Sequence, residues 1–326
     1  MVTCRFGRGK SVIGTSQAVP GRVGRVGGCF TTVEGSILRA VTIITDPRCT
    51  GYHTPGHPEK PNRVSRTADL LKGQKSLELK WDAPGDVTEA QLLRAHPAAH
   101  LARLQIQEAF DGDTAWHPGI AEHARRGVGG ALKALDLCLD GEPAFSLLRP
   151  PGHHATRTHA MGFCYLGSLA IAALEARARG KRVAIFDFDV HHGNGTEDIV
   201  RDHEGVAFAS VHQHPCYPGT GTGDVGTNCH NHPVAPRAER TVWRAAYLRA
   251  LAQLKATQPE VLGISAGFDA YRGDPLAQGT LEREDFHWLG QQVRAFGVPA
   301  FAILEGGYSV DLPDLVLAFL LGWGQG

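Results

Sequence analysis

Apolar runs of strand length alternate with apolar positions at helical spacing along most of the chain, and this alternation predicts its elements. Val41-Thr42-Ile43-Ile44-Thr45 reads as a short strand, and Pro61-Asn62-Arg63-Val64 starts a helix running to about residue 72. A strand is expected over 77–81, then short helices over 89–94 and 97–110, then a loop at Asp111-Gly112-Asp113-Thr114. From Gly119 onward Ala124, Val128, Ala131, Leu132, Leu135 and Leu139 keep helical spacing, which predicts a long amphipathic helix. Beyond it come a strand over 144–148, a helix over 166–179, strands over 183–189 and 206–211, and a helix over 239–255. A strand over 261–265, a helix over 282–296, a strand over 300–304 and a helix over 312–320 complete the order. Strands apolar on both faces, alternating with helices, predict an α/β chain: a three-layer α/β/α arrangement around a central, mainly parallel sheet.

Composition narrows this picture little, except at the N-terminus. Residues 1–40 carry Arg5, Arg8, Lys10, Arg22 and Arg25 but no acidic residue before Glu34. Three readings stand: a disordered extension, an organelle transit peptide, or a stretch outside the natural product. The extension is preferred, because no amphipathic helical period is visible there. No Pro/Ser linker or internal repeat divides the remainder, so residues 41–326 are expected to form one domain.

The 33 basic and 33 acidic residues balance, which leaves no field to attract nucleic acid or an anionic membrane. No apolar run approaches membrane-spanning length. The seven cysteines (Cys4, Cys29, Cys49, Cys138, Cys164, Cys216 and Cys229) are scattered and never form a C-x-x-C pair. Reduced thiols in a cytoplasmic protein are therefore expected.

Candidate chemistry changes the picture most. Polar clusters fall at the carboxyl ends of five predicted strands: Arg149-Pro150-Pro151-Gly152-His153-His154, Asp189 with His191, Ser210-Val211-His212-Gln213-His214, Gly267-Phe268-Asp269, and Glu305-Gly306-Gly307-Tyr308. Open α/β sheets bind ligands at the carboxyl ends of their strands, so five clusters at that end predict one site. A strand period of two points Asp187, Asp189 and His191 to one side. Asp189, His191 and Asp269 are the expected metal ligands, and Asp187 is better placed as a charge partner. Two carboxylates and an imidazole suit zinc, and also ferrous iron, cobalt or manganese; three protein ligands leave positions open for chemistry. The pair His153-His154 can supply base and acid, with Asp187 and Asn194 as candidate partners for their far nitrogens. Tyr308, on a Gly-Gly turn, can donate to a developing oxyanion. These parts describe metal-assisted hydrolysis of an amide or ester. The chain has no Walker loop.

With these motifs assembled, the chain resembles the zinc-dependent histone deacetylase family of the arginase/deacetylase superfold. The resemblance rests on His57 to Arg63, Arg149 to Ala155, Met161 to Tyr165, Asp187 to Thr196, Pro218 to Gly221, Ser265 to Ala270, Asp274 to Leu276 and Glu305 to Tyr308. It implies one Zn2+ on Asp189, His191 and Asp269, and His154 as general base and acid, oriented by Asn194. It further implies His153, backed by Asp187, as electrostatic partner and Tyr308 as oxyanion donor. Gly162, Phe163, Tyr217 and Leu276 resemble walls of a narrow channel, and Asp113 a rim residue that grips the substrate backbone. Arg63 falls at an inner acetate pocket. Asp187 and Ser210 resemble parts of a structural K+ site. Asn194 and the Glu-Gly-Gly-Tyr segment place the chain nearer the class II-like and bacterial branch. The polar segment Gly226 to Pro233 departs from the family pattern and is read as a loop.

The implied activity is removal of acetyl groups from acetyl-lysine in proteins or peptides, the alternative being an acetylpolyamine or other small acetylated amine. No direct nucleic acid or membrane partner is expected, and a homo-oligomer is compatible with this reading. A ureohydrolase would want a second metal. A catalytically silent acyl-lysine-binding scaffold would be expected to have lost a ligand, a His or the Tyr.

Overall fold

The computed structural model describes residues 40–324; residues 1–39 of the expected N-terminal extension lie outside the described residues. The described elements are β1 (Val41–Ile44), α1 (Asn62–Gly73), β2 (Leu79–Asp82), α2 (Glu89–Leu93), α3 (Ala98–Arg103), α4 (Ile120–Leu139) and β3 (Ala144–Ser146). They continue with α5 (Ser168–Ala178), β4 (Val183–Asp187), α6 (Asn194–Val200), β5 (Val206–Gln213), β6 (Cys229–Val234) and α7 (Arg240–Ala256). The last are β7 (Val261–Ala266), α8 (Arg283–Phe296), β8 (Ala300–Leu304) and α9 (Leu312–Gly324).

The eight strands form one sheet in the order β2-β1-β3-β8-β7-β4-β5-β6, and every pairing in it is parallel. Two-residue alternation splits each central strand between two cores. Ala184 and Phe186 of β4 join α1, α7, α8 and α9 on one face, while Val183 and Ile185 join α4, α5 and α6 on the other. This is the three-layer α/β/α arrangement read from the apolar pattern.

Register places the site. Ile44, Ser146, Ile303, Ser265, Asp187, Ser210 and Asn231 form one continuous row of paired residues across seven strands. The loops leaving β3, β4, β7 and β8 therefore start at the same level and project from the same edge of the sheet.

Four local expectations are corrected. The strand expected over 183–189 ends at Asp187, where Asp187 Oδ1 accepts the Asp189 N–H at 3.1 Å and the chain turns. The helix expected over 97–110 stops at Arg103, whose guanidinium bonds the carbonyls of Glu108 and Ala109 and pins a compact turn there. No helix is expected between the strands over 183–189 and 206–211, yet Asn194 opens α6 there. The segment Gly226 to Pro233, read as a loop, carries all but the last residue of the edge strand β6, whose partly exposed face does not need the apolar composition of a central strand.

A buried histidine stack holds one wall of the site. The His96 and His100 rings lie 4.6 Å apart, centroid to centroid. His96 Nδ1 faces the Arg157 carbonyl at 3.2 Å and His96 Nε2 accepts the Gly167 N–H at 3.0 Å, while His100 Nε2 faces the Tyr165 carbonyl at 2.9 Å. Both rings thus grip the segment that carries Gly162 and Phe163. Only the neutral Nδ1–H tautomer of His96 satisfies both partners, since a protonated Nε2 would point its hydrogen at an N–H. Burial lowers its pKa from 6.5 to about 3, and His100 adds to the effect. Between those values the unfolded chain binds a proton that the folded chain refuses. Stability should therefore fall on acidification, by about 1.4 kcal/mol per pH unit from this residue. His96→Gln keeps one donor and one acceptor but cannot titrate. Urea unfolding from pH 6.5 to 4 should show a slope shallower by about one proton in that variant; an unchanged slope would refute the assignment.

Candidate active site

Beyond the ends of β4 and β7, Asp189, His191 and Asp269 converge. All three are buried, and one ligand atom from each lies within 4.8 Å of the others. His191 Nδ1 stands 3.1 Å from Asp189 Oδ1 and 3.1 Å from Asp269 Oδ2. Backbone amides hold the remaining oxygens: Gly306 N–H donates to Asp189 Oδ2 at 2.7 Å, and Val190 N–H to Asp269 Oδ1 at 2.8 Å. A Cβ at Gly306 would collide with both Asp189 and Asp269, and one at Gly267 with Asp189. Glycine is required here by close approach to the carboxylates.

This donor set fits zinc, because two buried carboxylates and one imidazole converge within the span that one divalent ion bridges. The charges also call for a cation. Burial raises the Asp269 pKa, and Asp189 adds to it. Burial acts the same way on Asp189, yet His153 and His191 outweigh it and hold that carboxyl below its usual range.

The two consecutive histidines sit behind the triad with their rings 4.0 Å apart. His153 Nδ1 pairs with Asp187 Oδ2 at 3.1 Å, and His154 Nδ1 with Asn194 Oδ1 at 2.7 Å. Asp187 thus faces His153 and stays outside the ligand triad. Burial would discharge His153, but Asp189 and Asp187 outweigh it and push its pKa up to about 10. Burial drives His154 the other way, well below the ordinary value, with the His153 and His191 charges adding to it. Adjacent imidazoles with opposite displacements are the arrangement that divides acid from base.

A channel of about 340 Å³ leads to these residues, lined by His57, Pro58, Asp113, His154, Gly162, Phe163, His191, Tyr217, Leu276 and Tyr308. Every expected wall residue lines it. His57 and Pro58 were not anticipated in the wall. Their signal was position, since they lie in the Gly/Pro/His loop that follows β1 at the same end of the sheet. Conversely, His212 of β5 does not reach the channel: it is bonded to Ser210 at 2.9 Å and to the Gly221 carbonyl at 2.9 Å. That strand contributes Tyr217 from its following loop. A larger cavity, about 500 Å³, lies at the amino ends of β3 and β8 beside Cys138, Arg294 and Trp323, away from all of these groups.

Arg63 backs Tyr308. Its Nε donates to the Gly307 carbonyl at 2.7 Å, and its guanidinium lies 4.7 Å from the centre of the Tyr308 ring. Burial keeps the Tyr308 hydroxyl protonated, well above the ordinary tyrosine range, against the opposing charge of Arg63. At the rim, Asp113 is exposed; its carbonyl accepts from His57, and Asp111 Oδ1 caps its N–H at 2.9 Å.

Comparisons with known proteins agree with this geometry. A family model described as the histone deacetylase domain matches residues 57–320. A probable deacetylase of Methanothermobacter thermautotrophicus is 35% identical over 301 residues, covering 86% of this chain and 90% of that protein. Acetylpolyamine amidohydrolase 1 of Pseudomonas aeruginosa is 33% identical over 305 residues, covering 78% of this chain and 87% of its own length. The crystal structure of the HDA15 HD domain superposes with a TM-score of 0.81 at 31% identity, covering 88% of this chain and 89% of that one. The chain belongs to the histone deacetylase family, whose members are zinc-dependent amide hydrolases.

Proposed function

We propose that the protein hydrolyses the amide of an acetylated primary amine carried on a linear apolar stem, releasing acetate and the free amine. Acetyl-lysine in a protein or peptide is the leading substrate. The observation that supports this is the channel. It has apolar walls at Phe163, Tyr217 and Leu276, among the described residues no Lys or Arg lines it, and it ends on His154, His191 and Tyr308. Residues 41–326 act as one catalytic domain in this reading.

Asp189, His191 and Asp269 would hold zinc, which when bound supplies Lewis acidity to the carbonyl and lowers the pKa of water. His154 is the base. Its Nδ1–H donates to Asn194, which leaves Nε2 to take a proton from the attacking water and pass it to the departing amine. His153, charged between Asp187 and Asp189, offsets the negative charge that develops beside it. Tyr308 donates its hydroxyl proton in a hydrogen bond to the oxyanion. Potassium between Asp187 and Ser210, which face each other in register, belongs to the same reading.

A second reading, an acetylated polyamine, is favoured by the exposed rim carboxylate of Asp113, which no described cation pairs. Asp113→Asn should separate the two. For acetylputrescine, kcat/KM of the variant should fall severalfold at low salt, and its difference from wild type should shrink at high salt, because an exposed ion pair is screened. For an uncharged acetyl-lysine peptide, any loss should be independent of salt. Zinc-loaded protein that releases acetate from neither substrate would sink the proposal as a whole.

A further inference from the structure

Asp274 joins two parts of the candidate site without lining the channel itself. Its Oδ2 accepts the backbone N–H of Tyr308 at 2.6 Å and of Ser309 at 3.2 Å, and its Oδ1 accepts that of Leu276 at 2.9 Å. Tyr308 and Leu276 both line the channel. The carboxylate is buried, 7% exposed, and among the described residues no Lys, Arg or His forms an ion pair with it. A buried carboxylate without a cation is costly, and three backbone donors are its compensation. Burial, with Asp269 adding, raises its pKa to about 7, in keeping with that cost.

Tyr308 needs such a hold. It follows Gly306 and Gly307, and Gly307 has φ +114°, a conformation that glycine alone adopts readily and whose lack of a side chain leaves the turn without packing of its own. Phe163 meets the Tyr308 ring edge-on at 5.8 Å, and Arg63 packs near the ring and bonds the Gly307 carbonyl. Those contacts fix the ring plane and the preceding carbonyl. Among the described residues, the amides of Tyr308 and Ser309 are held by Asp274 alone.

We propose that Asp274 is a positioning residue for the reaction: its carboxylate sets where the Tyr308 hydroxyl stands and, through Leu276, ties that position to the channel wall. This rests on the deacetylation reading, in which Tyr308 is the oxyanion donor. Asp274 acts through the backbone and touches no reacting atom.

Asp274→Asn is the informative substitution. An amide side chain offers one accepting oxygen and one donating nitrogen, so one of the two sides must face an N–H with an N–H. With an acetyl-lysine amide as substrate, kcat should fall on the order of tenfold with KM little changed, as for a contact made in the transition state. In a Tyr308→Phe background the same substitution should cost less than about twofold, because the hydroxyl it positions is absent. Equal costs in both backgrounds would overturn the inference.

A second readout does not depend on turnover. With 3-fluorotyrosine at position 308, the fluorine resonance should be single and narrow in the parent and split or broadened in Asp274→Asn. Should that variant fail to fold, Asp274→Glu, which moves the carboxylate by one methylene, should disturb the same resonance. An unchanged resonance in the folded variant refutes the positioning role whatever the substrate is. Failure of the parent to release acetate counts against the functional reading and leaves the resonance test intact.

Discussion

Asp189→Ala and Asp269→Ala proteins should purify without stoichiometric zinc and show no measurable turnover of an acetylated amine. Each change removes one of the three candidate ligands, and the two that remain lack the charge to hold a divalent ion against water. The variants need not unfold. Asp187, Asp189 and Asp269 are buried close together, and burial raises the pKa of Asp187 and of Asp269. Removing Asp269 relieves repulsion with Asp189, which offsets the orphaned Val190 N–H, a loss of about 1–3 kcal/mol, whereas removing Asp189 also forfeits its attraction to His153 and His191 and should be the less stable variant. Metal analysis alongside thermal melts checks this. Wild-type zinc content in either folded variant would refute the ligand assignment.

Tyr308→Phe should lower kcat by about 10²–10³, or about 3–4 kcal/mol of transition-state stabilisation, with zinc content unchanged. Tyr308 is half-buried, lines the channel and has its hydroxyl held protonated, so in the proposed reaction it would serve as a donor without a proton transfer. It touches none of the ligand carboxylates by hydrogen bond, so metal retention should not change. KM should move little, because the hydrogen bond strengthens as charge develops on the carbonyl oxygen. Unchanged kcat in zinc-loaded Tyr308→Phe protein would remove Tyr308 from the chemistry.

The alternation of helices and two-sided strands was legible because burial on both faces leaves a continuous apolar run, as in Val183 to Phe186 and Val261 to Ile264. Edge strand β6 was not legible, since Cys229-His230-Asn231-His232-Pro233-Val234 meets solvent on part of its surface and carries polar residues. The end of β4 was overrun because Phe188 and Val190 continue the apolar alternation past the last ladder pair at Asp187.

The site divides in the same way. His153-His154, Asp189-Val190-His191 and Gly306-Gly307-Tyr308 are local clusters, and their chemistry could be read from residue type and from position after a strand. Sequence by itself determined the class of fold, the end of the sheet that carries the chemistry, and the donors available there. Only the tertiary structure decided which groups meet. The row from Ile44 to Asn231 sets the register that brings Asp269 to Asp189 across 80 residues of chain. It sends Tyr217 to the channel while keeping His212 away from it, and it aims the Asp274 carboxylate at the Tyr308 amide. Those pairings arise from strand order and loop closure, which depend on contacts distant in sequence and leave no periodicity for the chain to display.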